Sequence, residues 1–312
     1  MRTRALGTGG PEVSVVGLGC NNFGWRIGPD ESRAVVDAAI GQGITLLDTA
    51  DVYGETRSES FLGEALAGRL DRVCLLTKFG NPVPDAPDLP KGSPDYVRWA
   101  VDGSLRRLRT DAIDVYMYHR PDGVTPIAET IGAMAGLVHD GKVRYVGVSN
   151  VDLAQLEEAA ATAAAEGIPL VGCENRYSLI TRGADADIVP ACLRLGVGLI
   201  PFYPLESGAL TGKYTRGAAL PADSRFAAGM SFWDAEKWLT DDVFDKIEAL
   251  ERFAAAHGAS LLDVAIGGLA AMPAVGSVIA GATTAEQVVA NAKAGEWVPT
   301  ASELEELQAL TA

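Results

Sequence analysis

Eight short apolar runs punctuate this chain, and stretches with helical periodicity separate them. The runs are 13–19, 43–48, 72–78, 112–119, 142–149, 169–175, 197–203 and 275–281. Between them lie 32–41, 58–67, 95–109, 126–139, 152–166, 184–195, 241–257, 260–271 and 284–294, most with apolar residues three and four apart. Strands that read as continuous apolar runs are buried on both faces, so the sheet is expected to be parallel and covered by helices. Eight such units in 312 residues fit a (β/α)8 barrel, which needs about 250 residues plus insertions. A doubly wound open sheet is the structural alternative. No change in composition marks a linker and no sequence repeat is present, so one barrel domain over 1–312 is expected.

Punctuation supports the helices. Asp30 or Ser32 is expected to cap the first, Ser93-Pro94 starts the third, Thr125-Pro126 starts the fourth, and Asp152 caps the fifth. Two segments break the alternation. The turn residues of "LGTGGPEVS" predict a short hairpin able to plug the barrel floor, and 204–240 is a long Gly/Pro-rich loop after the seventh strand. The net charge of −15 disfavours nucleic acid and anionic lipid as partners. No signal peptide and no membrane span is read. Cys20, Cys74, Cys173 and Cys192 form no close pair, which fits reduced thiols in a cytoplasmic protein. His119, His139 and His257 show no metal-binding spacing.

In a barrel the chemistry sits at the C-terminal strand ends. Read in order, those ends carry Asp48 with Tyr53, Lys78, His119, Ser149 with Asn150, and Glu174. A single polar strand end means little, since each residue has an ordinary use as a turn cap, loop anchor or surface group. Five in succession suggest a ring around one mouth. Lys78 would lower the pKa of Tyr53, Asp48 would pair the buried ammonium, and a neutral His119 would orient a carbonyl oxygen. Together they describe a general acid aimed at a carbonyl, with hydride left to a cofactor. Asp51 is read as structural, a cap for its turn. The stretch "GLGCNNFG" (17–24) has the wrong spacing for a dinucleotide fingerprint, which disfavours a Rossmann dehydrogenase.

These residues resemble the aldo-keto reductase family over essentially the whole chain. Its tetrad of Asp, Tyr, Lys and His is matched by Asp48 and Tyr53 in "DTADVYG", Lys78 in "LLTKFG" and His119 in "YMYHRPD"; "GKVRYVGVSN" (141–150) is similar to a family signature. "FYPLESGALTGKY" (202–214) is similar to the long-loop branch, which includes bacterial reductases and potassium-channel β subunits. The resemblance implies that Ser149 and Asn150 bind the nicotinamide carboxamide and that Phe202 stacks on the ring. It implies Tyr203, Leu205, Ser207 and Gly208 along the pyrophosphate, with Lys213 and Arg225 above it. It also implies Gly281, Thr283, Gln287 and Asn291 at the adenosine 2′-phosphate and adenine, and so NADP(H) ahead of NAD(H). A local excess of basic residues, Lys213, Arg216 and Arg225 against Asp223, fits a phosphate loop.

Three positions depart from the family pattern. Glu174 stands where Gln is usual beneath the carboxamide, and a carboxylate cannot donate a hydrogen bond unless protonated. Ala290 replaces a Glu that often pairs with adenine. Gly268 replaces a common Trp, read as a packing change.

The expected activity is reversible reduction of an aldehyde, ketone or sugar carbonyl, with Tyr53 as proton donor. Trp25, Phe79, Arg120, Phe226, Phe232 and Trp233 are candidate pocket walls, or simply loop packing; Arg120 would select an anionic substrate or pair with Asp122. A cofactor-sensing regulatory subunit is the main alternative. A hydrolase pairing Asp48 or Asp51 with Glu174 leaves Lys78, Tyr53 and the phosphate-loop features without a role, and a Schiff-base aldolase using Lys78 is a further alternative. The physiological substrate and the oligomeric state are not legible.

Overall fold

The computed structural model describes residues 1–222, 224–227, 229 and 234–311. Strands β1 (Thr3–Ala5) and β2 (Glu12–Ser14) form an antiparallel hairpin. Eight parallel strands follow: β3 (Val16–Gly19), β4 (Leu46–Asp48), β5 (Cys74–Phe79), β6 (Ile113–Tyr118), β7 (Val143–Ser149), β8 (Leu170–Glu174), β9 (Gly198–Leu199) and β10 (Val278–Gly281). They pair in the order β10-β3-β4-β5-β6-β7-β8-β9. A Leu199–Val275 bridge, with Leu199 N donating to Ala274 O at 2.7 Å and Gly276 N to Leu199 O at 2.7 Å, brings the two ends of the sheet together. The architecture is the (β/α)8 barrel with the expected N-terminal hairpin.

Helices α1 (Pro29–Gly41), α2 (Arg57–Ala65), α3 (Pro94–Leu108), α4 (Ile127–His139), α5 (Leu153–Ala165) and α6 (Ile188–Leu195) cover the strands in turn. After the long loop come α7 (Ala235–Trp238), α8 (Asp241–Ala256), α9 (Leu261–Asp263), α10 (Ala285–Ala294) and α11 (Ala301–Thr311). The expected caps hold at α3, where Ser93 accepts from Tyr96 N, and at α5, where Asp152 and Gln155 form a capping box. They fail at α1, which starts one turn earlier with Gly28 as N-cap and Pro29 next. In α4 Pro126 is itself the cap position, because the Thr125 N–H and hydroxyl are donated to Asp122. α11 lies beyond the last stretch of expected helical periodicity, 284–294. Its start has a local signal in "TASE", since Thr300 N donates to Glu303 Oε2 at 2.6 Å and Glu303 N to Thr300 Oγ1 at 3.3 Å.

The run 13–19 divides between two elements. Val13 belongs to the hairpin and only Val16–Gly19 to the barrel. The chain turns at Ser14, whose hydroxyl donates to Val16 O at 2.6 Å and accepts from Thr45 N at 2.9 Å. The hairpin does plug the floor, sending Leu6 and Val13 into an interior cluster with Leu46, Leu76, Val115, Met117 and Ile200. Midway up, Gly147 and Gly172 leave room for Met117, as a Cβ on either would come within 2.6 Å of its methyl. After α9 the chain makes a π turn, Val264–Gly268. A Cβ at Gly268 would meet Leu307 at 2.8 Å, so its missing side chain accommodates the C-terminal helix and Trp297, the packing change expected there.

Leu6 is fully buried at the centre of the plug. Leu6→Ala is expected to cost about 2–5 kcal/mol, checked by urea denaturation, with the parallel sheet retained by circular dichroism.

Candidate active site

Alternation along each strand builds the site. Inward residues at successive heights are Leu46 then Asp48 on β4, and Leu76 then Lys78 on β5. Met117 precedes His119 on β6, Gly147 precedes Ser149 on β7, and Gly172 precedes Glu174 on β8. Each polar group follows an interior apolar or glycine position by two residues, so a period of two carries it to the same face one layer higher.

Lys78 is fully buried. Its ammonium donates to Asp48 Oδ1 at 2.5 Å, Thr49 O at 3.1 Å and the Tyr53 hydroxyl at 3.4 Å. Glu174 Oε2 lies 3.3 Å away, within ion-pair range but without a well-formed hydrogen bond among the described residues. Burial alone would push Lys78 down; Asp48, then Glu174 and Tyr53, outweigh it and hold the ammonium well above the ordinary lysine value. Burial raises Asp48, with Lys78 opposing. The rings of Tyr53 and His119 meet edge to face with centroids 5.7 Å apart. Burial, then Lys78 and Arg120, depress His119 well below its usual range, so the imidazole is neutral.

Tyr53 corrects an expectation. Although part of the residue is exposed, its hydroxyl is enclosed, and burial pushes it above the ordinary tyrosine value; Lys78 offsets only part of this, while Asp48 and Glu174 add to it. In this pocket Tyr53 holds its proton across the whole neutral range. Asp51 does not cap its turn either. Its backbone N–H donates to Lys78 O at 3.0 Å, while its buried carboxyl group makes no well-formed hydrogen bond among the described residues. Burial and neighbouring Glu59 push that carboxyl well up.

The mouth carries a cleft of about 420 Å³, lined among others by Arg120, Asn150, Asn175, Arg176, Ile188 and Phe202. A larger cavity of about 500 Å³ lies at the barrel floor between the hairpin and Gly196–Gly198, away from these groups. Asn150 has φ 54° and its amide donates to His119 O and Ser149 Oγ, both at 3.0 Å. Beyond Phe202 the backbone is left-handed at Tyr203 (φ 54°), Glu206 (φ 44°), Ser207 (φ 56°) and Gly208 (φ 94°). Non-glycine residues there cost about 1–3 kcal/mol each and need support from outside. The support is Glu206, fully buried, which accepts from Arg176 at 2.6 Å and from the Ser178 hydroxyl at 2.8 Å.

Arg225 reaches back to the barrel, donating to Asn22 Oδ1 at 2.8 Å, and Asn22 donates to Ala282 O at 3.1 Å. Lys213 lies over the Tyr214 ring, 5.4 Å from its centroid, and packs against Gly208. Leu205 packs partly buried against the core. At α10, Gln287 Oε1 accepts from Thr283 N at 2.8 Å, next to Gly281, while Asn291 is buried one turn on. Arg216 does not join this group. It is held by Asp241, Asp245 and Glu248 at 2.6, 2.5 and 2.9 Å.

The aromatic pocket walls fare worse. Phe79 follows inward-facing Lys78, so it points outward and stacks between Tyr116 and Tyr118, at 4.9 and 5.3 Å, beneath the helices. Phe226 is buried against Tyr214 and Trp238 and packs the loop on itself. Phe232 and Trp233 lie outside the described residues. Trp25 is 48% exposed on the segment after β3. Arg120 is exposed on the cleft and does not pair with Asp122, whose carboxylate accepts from the N–H groups of Gly92, Val124 and Thr125. Asn22, Asn175 and Glu206, which hold the mouth together, carried no local sequence signal. Asn175 clamps both polar groups of the Val151 peptide, at 3.2 and 2.8 Å.

Comparison with known proteins agrees with this arrangement. Residues 15–312 match the Aldo/keto reductase family. A probable voltage-gated potassium channel subunit beta from Oryza sativa subsp. japonica is 36% identical over 309 residues, covering 96% of this chain and 92% of the relative. Probable aldo-keto reductase 1 from Glycine max is 34% identical over 255 residues, covering 79% of this chain and 71% of the relative. The holo form of an aldo-keto reductase from Bacillus halodurans superposes with TM-score 0.82 at 30% identity, covering 100% of this chain and 97% of that one.

Removing the Glu206 carboxylate takes away the acceptor it offers to Arg176 and Ser178. Glu206→Ala is expected to cost about 1–3 kcal/mol in urea denaturation, with faster limited proteolysis within 204–222 than at the barrel strands. The match over nearly the whole length, on a barrel whose mouth gathers Asp48, Tyr53, Lys78 and His119, places the chain in the aldo/keto reductase family of carbonyl oxidoreductases.

Proposed function

We propose that this protein is an NAD(P)H-dependent reductase that converts an aldehyde, ketone or sugar carbonyl reversibly to the alcohol, with Tyr53 as general acid. The observation that carries the reading is the buried Lys78 ammonium, held by Asp48 at 2.5 Å with the Tyr53 hydroxyl 3.4 Å away. Asp48 fixes the ammonium and keeps it charged. Lys78 draws down the acidity barrier that burial imposes on Tyr53. Neutral His119, whose Nδ1 has no hydrogen-bond partner among the described residues, directs the carbonyl oxygen to the Tyr53 hydroxyl.

The chain fits a nicotinamide cofactor. His119 Nδ1 and Glu174 Oε2 are buried atoms without hydrogen bonds among the described residues, and Phe202 and Asn150 line the adjoining cleft. When bound, the cofactor supplies the hydride. Ser149, Asn150 and Glu174 would hold the carboxamide and Phe202 the ring. Tyr203, Leu205, Ser207 and Gly208, with Lys213, would take the pyrophosphate on the left-handed segment. Gly281, Thr283, Gln287 and Asn291 would take the adenosine end at the start of α10, where free N–H groups favour phosphate. Arg225, tied through Asn22 to Ala282, brings a guanidinium towards that end. It supplies the countercharge that neutral Thr283 lacks, so we favour NADP(H) over NAD(H). We propose that the chain works as a single barrel unit in the cytoplasm on a small-molecule substrate, independent of nucleic acid and membrane. Among the described residues no helix is long and apolar enough to cross a membrane.

A second reading rests on the relative named as a potassium channel subunit beta: a cofactor-sensing subunit with little turnover. Loss of NADPH, and separately NADH, with a panel of carbonyls separates the two. Tyr53→Phe is expected to lower turnover by about 10²–10⁴-fold with an unchanged dissociation constant for NADPH. Tight NADPH binding without turnover on any carbonyl would favour the sensing subunit. Failure to bind either nucleotide would sink both.

A further inference from the structure

One ammonium at the barrel mouth serves two buried carboxyl groups. Asp48 has the short hydrogen bond, while Glu174 Oε2 sits 3.3 Å from the same nitrogen without a well-formed hydrogen bond among the described residues. Both carboxyl groups are at most 3% exposed, so neither is screened by bulk water. With both ionised, Lys78 leaves the cluster one negative charge in excess. As Tyr53 passes its proton to a carbonyl oxygen it becomes anionic, and three negative groups would then surround one ammonium. Such like charges in a low-dielectric pocket disfavour one another strongly. A proton on Glu174 removes one of them.

We propose that Glu174 is a positioning residue that works in its protonated form: neutral, it leaves the Lys78 ammonium to Asp48 and Tyr53 and permits proton transfer from Tyr53; ionised, it competes for Lys78 and suppresses that transfer. The inference rests on the reductase reading above and adds a proton switch to it. The protonated carboxyl also gains the donor that a carboxylate lacks, restoring the amide-like character expected at this position.

The surroundings support the assignment. Asp48 faces Glu174 from β4, Tyr53 from the loop after β4, and Lys78 from β5. β7 contributes the neutral hydroxyl of Ser149, its register partner, and β9, Gly198–Leu199, contributes no titratable group. His119, directly after β6, is neutral. The neighbouring Cys173 is pushed well up, first by its hydrogen bond with Cys192 and then by burial, and stays a thiol. Burial first, then Asp48, push Glu174 up to about 8, with Lys78 opposing. The switch therefore falls just above neutrality, while Tyr53 itself is pushed far higher.

The test compares the native protein with Glu174→Gln, which keeps the shape and fixes the neutral state. Without cofactor, infrared difference spectra between about pH 6 and pH 10 should show a protonated-carboxyl band that disappears on raising the pH and is missing in the variant. Thermal stability gives a second reading. The folded state keeps a proton that the unfolded state releases above the ordinary carboxylate range, so native stability falls, relative to the variant, as pH rises towards about 8 and levels off beyond it. With NADPH and a turned-over carbonyl, native kcat/KM should fall ~tenfold per pH unit above that point, and the Glu174→Gln profile should stay flat through it.

An unchanged alkaline limb in Glu174→Gln overturns the proposal, as does absence of the carboxyl band with turnover intact. If the band is present but neither protein turns over any carbonyl, the reductase reading fails and the positioning role fails with it. The two failures are thus distinguishable.

Discussion

The contact between Lys78 and Asp48 governs the upper half of this barrel. Taking an ammonium and a carboxylate out of water is costly, and a buried pair often contributes less stability than apolar residues of the same volume. The pair is therefore poorly explained as structural reinforcement. Its position accounts for it better. Lys78 Nζ also donates to Thr49 O and to the Tyr53 hydroxyl, so one nitrogen fixes the end of β4, the turn after it and the Tyr53 side chain. Glu174 and neutral His119 complete a pocket in which every charge faces this ammonium or is suppressed by burial.

A second layer of interactions makes the mouth a surface rather than a set of loose loops. Glu206, buried beneath the segment after β9, binds Arg176 and Ser178 from the segment after β8 and holds the left-handed run at Tyr203–Gly208. Asn175 does the same for the turn after β7, and Asn22 joins Arg225 to the turn after β10. These buried polar groups satisfy backbone and side-chain partners from different strands, so displacing one loop would strip hydrogen bonds from its neighbours. The mouth is pre-shaped by the same economy that satisfies its buried polar atoms.

Legibility followed the range of the interaction. The eight strands show as apolar runs because burial on both faces imposes a continuous pattern, although the first run divides at Ser14 and β4, β9 and β10 occupy only part of theirs. The convergence of Asp48, Lys78, His119, Ser149 and Glu174 is legible because strand ends in a barrel meet at one mouth. Phe79 was misplaced by one step of the same alternation: adjacent to Lys78 in sequence, it faces the helices. Phe226 was misplaced because aromatics in a long loop read alike whether they line a pocket or pack the loop. Arg120 and Asp122, two residues apart, suggested a pair, but turn geometry gives the Asp122 carboxylate to backbone donors instead.

The sequence by itself determined the alternation of strands and helices, the order of Asp48, Tyr53, Lys78 and His119 along the chain, and the family, because each is written in local pattern or in short motifs. Only the tertiary structure decided the state of the groups so assembled. Tyr53 is raised rather than lowered because desolvation, a property of everything packed around its hydroxyl, outweighs the one lysine that the sequence could place beside it. Glu174 is tied to Lys78 and Asp48 because three strands, far apart along the chain, close around one nitrogen. Charge type is local information; the solvation and the sharing of charge are set by what the fold brings together.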